Sequence, residues 1–566
     1  MTNLEIAELL RDVAAAYQLR DDAKNRFKII AYNRAADSVE HAAGELKDLW
    51  DEGKLDEIPG IGPGIAGHLD ELFRTGSSKH FRTVMKGIPK SAFKLMQLPG
   101  IGIKTALRLI AQGSQSEIKK MLEQVSKKSK EKRLLLPYAQ KIADSIVGWL
   151  GKEPSVLRVE PLGSLRRKVA TVGDLDIAAA TNEPGTVIGH FSQYPKAKRI
   201  IEKGESSASI LLPGEVQVDL KVVRPALFGS LLQHFTGSKL HNIALREYAL
   251  KQGLSLSEYG IKNLRTEEHK NLRTEKELYE FLGLEYIPPE LREDTGEIET
   301  ARRSFEGERS RTPGGLPNLV ELSDIKSDLQ VHSDFDIETS HDLGASSMEE
   351  IIKKAGRLKY EYLAFTEHNP SKSKHSEKQI VEILKRKREK VEQLNYSRVT
   401  KVFNSLEIDI MPDGELAVSE KGLDTLDFAL VSIHSSFSSS KDEMTKRVLS
   451  ALSHPKVKIF AHPTARKINE REGIELDWPE IFEFCKKNNK WLEINADPMR
   501  LDLPDFLVRE AVKGGIKMTL GTDSHHVDMM DNMEYGVAVA RRGWAKKSDI
   551  INCLSLEDFE KVVIKK

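Results

Sequence analysis

Two short strings hold the side chains best suited to phosphoryl chemistry. Gly163-Ser164-Leu165-Arg166-Arg167 precedes Gly173-Asp174-Leu175-Asp176-Ile177, and a later run, Val216-Gln217-Val218-Asp219-Leu220, carries one acid inside an apolar alternation. Residues two apart on a strand point to one face, so Asp174 and Asp176 project together. Three carboxylates meeting on neighbouring strands repel unless divalent cations neutralise them. Two magnesium or manganese ions about 4 Å apart would then clamp the attacking and leaving oxygens of an in-line displacement at phosphorus. Gly163, Ser164 and Gly173 would let backbone and hydroxyl donors approach a triphosphate, and Arg167 would compensate its charge.

A second set of metal-ligand types recurs at the ends of apolar runs. These are His332, His368, Glu407, His434, His462, and Asp523 with His525. Ends of parallel strands are where β/α barrels place chemistry. A lone histidine is more often structural, but seven positions in matching context favour a cluster for manganese, zinc or iron. Either His341 or Asp342 supplies an eighth ligand.

Near the N-terminus, Ile58-Pro59-Gly60-Ile61-Gly62-Pro63-Gly64 is echoed by Leu98-Pro99-Gly100-Ile101-Gly102-Ile103-Lys104. Each copy follows one helical pattern and opens another. Glycines there present backbone N–H groups at a helix N-terminus, a nest that holds a phosphate without reading base sequence. The basic run from Lys119 to Arg133 reads as a solvated face that adds salt-sensitive affinity for DNA.

The elements that must position these groups follow from periodicity. Helical patterns fill the chain to about residue 145, strands run from about 155 to 225, and helices return to about 285. A polar stretch up to Ser323 reads as a partly docked linker, and short apolar strands then alternate with helices, as in a parallel β/α barrel. No apolar run is long enough to span a bilayer, and the start reads as an amphipathic helix, so cytoplasmic residence is expected. Cys485 and Cys553 are too few for a disulfide framework. Lys+Arg and Asp+Glu both number 86, so net charge neither supports nor excludes a nucleic-acid partner.

With these strings in place, the chain resembles the X-family DNA polymerases, and more narrowly the bacterial and archaeal PolX type with a C-terminal PHP domain. The resemblance covers essentially the whole chain. It implies a multidomain protein: helix-hairpin-helix regions at 1–85 and 86–150, an α+β nucleotidyltransferase palm at 151–225, a helical nucleotide-binding subdomain at 226–289, a linker at 290–322 and a PHP β/α barrel at 323–566. It implies gapped or primed duplex DNA and dNTPs as partners of a monomeric, gap-filling polymerase with 3′–5′ exonuclease activity in the PHP domain. His234 and Phe235 would lie against the incoming sugar, Lys239 and Asn242 against its base or sugar edge, and Arg246 in the template minor groove, with Gly237 also at the nucleotide.

Three departures bear on chemistry. His68 stands where relatives have a lysine that forms an imine with an abasic sugar, which argues against a deoxyribose-phosphate lyase by that route. Gln217 replaces an arginine beside the third acid. Gln330 replaces the first histidine of the opening PHP motif, and Glu367 stands where aspartate is common. A template-independent nucleotidyltransferase and a DNA-end-binding scaffold with inactive sites are the competing readings.

Overall fold

A computed structural model describes residues 3–40, 46–51, 53–55, 61–96, 102–112, 133–302, 315–395 and 400–563. The chain divides into two units, one of residues Met1–Ile142 with Ile468–Arg471, the other of Ala143–Lys467 with Glu472–Lys566.

The first unit is helical. Two of its helices, Pro63–Thr75 and Ile103–Gln112, follow the glycine-rich strings. Pro63 sits at the first helical position, where its missing N–H costs nothing, and Gly62 precedes it as cap. Each helix buries one apolar side, with Ile65, Leu69 and Leu72 in the first and Ile103 and Ala106 in the second. The basic run 119–132, Gly60 and Gly100 lie outside the described residues.

The second unit opens with a sheet of β1 (Arg158–Pro161), β2 (Leu175–Ala180), β3 (Arg199–Lys203), β4 (Ser207–Leu211) and β5 (Gln217–Val223), in the order β1-β2-β5-β4-β3. Only β2 and β5 pair in parallel. Val218, Leu220 and Val222 are buried on one face of β5, leaving Asp219 and Lys221 on the other. Helix Phe228–Thr236 packs Phe228, Leu231 and Leu232 against Ala178 and Ala180 of β2.

Helices Lys239–Leu250 and Glu275–Phe281 then enclose a second core, which includes Leu245, Leu278, Ile287, Leu291 and Ile298. Residues 290–302 are therefore folded, which corrects the linker expected from their polarity. Arg292 is fully buried because Glu275 neutralises it at 2.5 Å, and Glu297 is buried because His241 and the backbone of Asp294 and Thr295 donate to it. Polar composition misled because these charges are paired inside.

The C-terminal part has β6 (Ser327–Val331), β7 (Tyr362–Phe365) and β8 (Lys401–Asn404) in one parallel sheet. A second contains β9 (Glu407–Asp409), β10 (Ala429–Ser432), β11 (Val457–Phe460), β12 (Trp491–Asn495) and β13 (Met518–Gly521). Parallel bridges Val331–Ser524 and His368–Glu407 join the two sheets, closing a β/α barrel. Its strands are buried on both faces, as a helix-covered parallel sheet requires.

Candidate active sites

Asp176 on β2 and Asp219 on β5 are direct register partners, so their side chains leave the same face of the sheet side by side. Asp174 stands two residues before Asp176 and is exposed. Burial, then the charges of Asp219 and Asp174, push the Asp176 carboxyl up to about 6, with Lys221 working the other way. Such mutual repulsion among three acids fits a divalent-cation site. Gly163 forms the wall: its φ is +59°, and a Cβ there would lie 3.4 Å from Asp176 Oδ2. Ser164 follows, half-buried, in the short helix Gly163–Arg166, and Gly173 is exposed.

Asp219 accepts hydrogen bonds from the Ser209 hydroxyl and from Gln217 Nε2, the latter at 3.0 and 3.1 Å to its two oxygens. Gln217 thus orients the third acid without adding charge. Lys221, two residues further on the same face, stacks its ammonium 4.9 Å from the Phe235 ring. Sequence reasoning missed Lys221 and Ser209, although the strand alternation carried the signal for Lys221.

The adjoining turn brings most of the other predicted residues together. Ser238 caps helix Lys239–Leu250, and Asn242 donates to the His234 carbonyl at 2.7 Å while accepting from Gln233 at 2.8 Å. Arg246 lies 3.2 Å from His234 Nδ1, and Lys239 is exposed. Arg167 bonds Glu293 at 2.9 Å and the Thr236 carbonyl, with Gly237 lying against its guanidinium.

His332, His368, Glu407, His434, His462, Asp523 and His525 lie on, or within a few residues beyond the end of, a barrel strand, and His341 and Asp342 lie in the long loop after β6. Four triads of ligand atoms lie within 4.8 Å: His332-His368-His525, His341-Asp409-His434, His368-Glu407-His434 and His332-Glu407-Asp523. His462 Nε2 joins them 2.8 Å from Glu407. Of the two open alternatives, His341 enters a triad, 2.8 Å from Asp409; Asp342 enters none among the described residues. Asp409 was missed, although its place two residues after Glu407 on one strand was a readable signal.

Electrostatics here suit the binding of cations. Burial disfavours charge on His332, but Asp523 and Glu407 outweigh it and raise the ring to about 10. Asp409 and Glu407 likewise raise His434 to about 9 against its burial. Burial holds His368 well below its ordinary value. Buried ring nitrogens His368 Nδ1, His462 Nδ1 and His525 Nε2 have no hydrogen-bond partner, so metal ligation is the chemistry they fit.

A Helix-hairpin-helix domain model matches residues 1–78, a DNA polymerase beta thumb model residues 231–293, and a PHP domain model residues 328–497. The DNA polymerase/3′-5′ exonuclease PolX of Bacillus subtilis (strain 168) is 33% identical over 587 residues, covering 99% of each chain. The chain belongs to the PolX family. DNA polymerase lambda of Rattus norvegicus is 24% identical over 51% of this chain and 56% of that protein, and its Arabidopsis thaliana counterpart 24% over 51% and 62%.

In this PolX chain, Gln330 is fully buried and donates to Glu407 at 3.0 Å, occupying a carboxylate that a metal would use. Asn495 donates to Asp523 at 3.1 Å, and Arg500 Nε lies 3.6 Å from the same carboxylate. Neither residue follows from the strand-end pattern. Glu367 faces away from the triads, paired to the buried Lys387 at 2.6 Å. His68 stacks on His80 with ring centroids 4.0 Å apart.

Proposed function

We propose that this chain is a DNA-directed DNA polymerase that fills short gaps during repair, with a 3′–5′ exonuclease in its PHP barrel. The register pairing of Asp176 with Asp219 beside the glycine wall of Gly163 carries the reading. Magnesium or manganese held by Asp174, Asp176 and Asp219 would supply Lewis acidity to the attacking 3′-hydroxyl and the triphosphate. Burial and the neighbouring acids disfavour charge on Asp176, and a bound cation would offset that cost. Ser164 and the backbone of Gly163 and Gly173 bind the triphosphate, and Arg167 balances its charge. His234, Phe235 and Gly237 seat the sugar, Lys239 and Asn242 the base edge, and Arg246 the template strand. Gly62, Gly64, Gly102 and Lys104, all exposed at helix N-termini, grip the DNA backbone, and Gly60 and Gly100 are assigned to the same contacts.

In the barrel, His332, His341, His368, Glu407, Asp409, His434, His462, Asp523 and His525 would hold manganese, zinc or iron, which supplies a hydroxide for phosphodiester cleavage. Gln330 and Asn495 orient Glu407 and Asp523. The protein works as a cytoplasmic monomer on gapped or primed duplex DNA.

A gapped duplex incubated with dNTPs and magnesium or manganese, with extension and shortening followed together, tests the reading. Template-matched filling of the gap is expected. Equal addition to a single strand without template would favour an end-adding transferase instead.

A further inference from the structure

Arg542 ends helix Met533–Arg542 of the barrel and leaves only 7% of its side chain exposed, yet its contacts lie on three separate segments. Its guanidinium reaches Asp505 at 2.6 Å, the Arg167 carbonyl at 2.8 Å and Glu293 Oε1 at 3.0 Å. That same Glu293 oxygen accepts from Arg167 Nε at 2.9 Å, and Arg167 in turn donates to the Thr236 carbonyl. Gly237 follows directly, where a Cβ would meet the Arg167 guanidinium at 3.1 Å. One chain of charge-assisted bonds therefore runs from the barrel to the turn that seats the nucleotide sugar.

The barrel end of this chain is fixed. A Cβ on Gly543 would come within 2.2 Å of Val508 Cγ1, so the end of the helix packs directly on helix Asp505–Gly514. Arg509 stacks 3.7 Å from the Trp544 ring centroid. Arg541, one residue earlier, makes a different set of bonds, to Glu290, the Val320 carbonyl and Glu321. It shares only the stretch around residue 290 with Arg542, and its bonds go to Glu290 and not to Glu293.

The geometry points to Arg542 as a positioning residue of the polymerase site, although it belongs to the PHP barrel. It holds the backbone of Arg167 directly and shares Glu293 with its guanidinium. A carboxylate shared between two guanidiniums binds each less tightly than it would bind one alone. Arg542 thus keeps Arg167 in register with the triphosphate site and lowers the cost of drawing it away from Glu293. Without Arg542, Glu293 would turn its full charge on Arg167 and compete with the triphosphate. This inference rests on the reading that Arg167 balances the triphosphate charge.

The test uses the full chain on a gapped duplex and measures KM for the dNTP and kcat separately. Arg542→Gln should raise KM about tenfold, the loss of one charge-assisted hydrogen bond, and change kcat less. Arg541→Gln should leave KM unchanged, and Arg167→Gln/Arg542→Gln should match Arg167→Gln alone. Arg542→Lys, which keeps the charge but not the fork, should fall between wild type and Arg542→Gln. Unchanged metal content of the PHP site shows that the variants fold. An unchanged KM in Arg542→Gln, an equal rise in Arg541→Gln, or additive effects in the double variant would each overturn the inference. If Arg167→Gln itself left KM unchanged, the triphosphate reading of Arg167 would fail, and the inference with it.

Discussion

Gln330 shows what one side chain can change in a metal site. Its amide sits where the opening motif would supply an imidazole, and it donates to Glu407, a residue shared by two of the ligand triads. An amide that donates to a carboxylate removes one ligand and partly occupies another. Gln330→His should therefore raise the metal bound by the barrel, with affinity up about 10–100-fold as for other changes beside a metal ligand. Metal analysis of dialysed protein checks this, with nuclease rate as a second readout; unchanged metal content would show that Gln330 is not the limiting group. Asp176 and Asp219 stood out because each interrupts an apolar alternation, whereas Asp409 did not. Arg500 and Asn495 were not, because nothing in their local sequence shows that a loop after β12 turns back towards Asp523.

At the scale of elements, the link between the sheet and the helical subdomain is a buried ion cluster. Glu275 accepts both Arg166 nitrogens, at 2.9 and 2.7 Å, and also pairs with Arg292. Burial would raise its carboxyl, but Arg292 and Arg166 outweigh that and hold it down to about 2. Its contribution to stability is therefore fully present above about pH 4.5 and is lost as pH falls towards 2. Breaking a buried pair leaves an uncompensated charge, so Glu275→Gln should cost about 3–5 kcal/mol. Urea unfolding at pH 7 and pH 3 should show a large deficit at the first and a smaller one at the second; equal deficits would contradict the charge argument.

The pentapeptide NLRTE shows why elements were only partly readable. At Asn263–Glu267 the asparagine side chain accepts from two backbone N–H groups in a turn. At Asn271–Glu275 the threonine caps a helix and the glutamate is buried. Tertiary context alone separates the two. Strand β3 lies within the stretch expected to form strands, yet it is exposed along its whole length and shows no buried alternation. Lys104, exposed in the first turn of helix Ile103–Gln112, should add a phosphate contact. Lys104→Ala should lower the salt dependence of DNA binding by about one in slope, equally for all sequences. An unchanged slope in a fluorescence anisotropy titration would remove Lys104 from the interface.

For the whole molecule, two carboxylate-rich centres lie in one chain, one on an antiparallel-edged sheet and one at the mouth of a parallel barrel. The class of each domain was legible because the hydrophobic period changes along the chain, from helical to alternating to short apolar strands between helices. The extent of the second core was not, because paired charges make a folded segment read as a linker.

Asp176 and Asp219 stand side by side with Asp174 two residues away in sequence, and the proposed joining of a nucleotide to a DNA end rests on that trio. The most direct measurement is incorporation into a gapped duplex by Asp174→Ala/Asp176→Ala, beside wild type and His434→Ala. Losing several kcal/mol of charge stabilisation should slow extension by at least about a thousandfold, with DNA affinity largely retained, while His434→Ala extends normally but no longer shortens the strand. Extension that persisted in the double alanine variant would contradict the account.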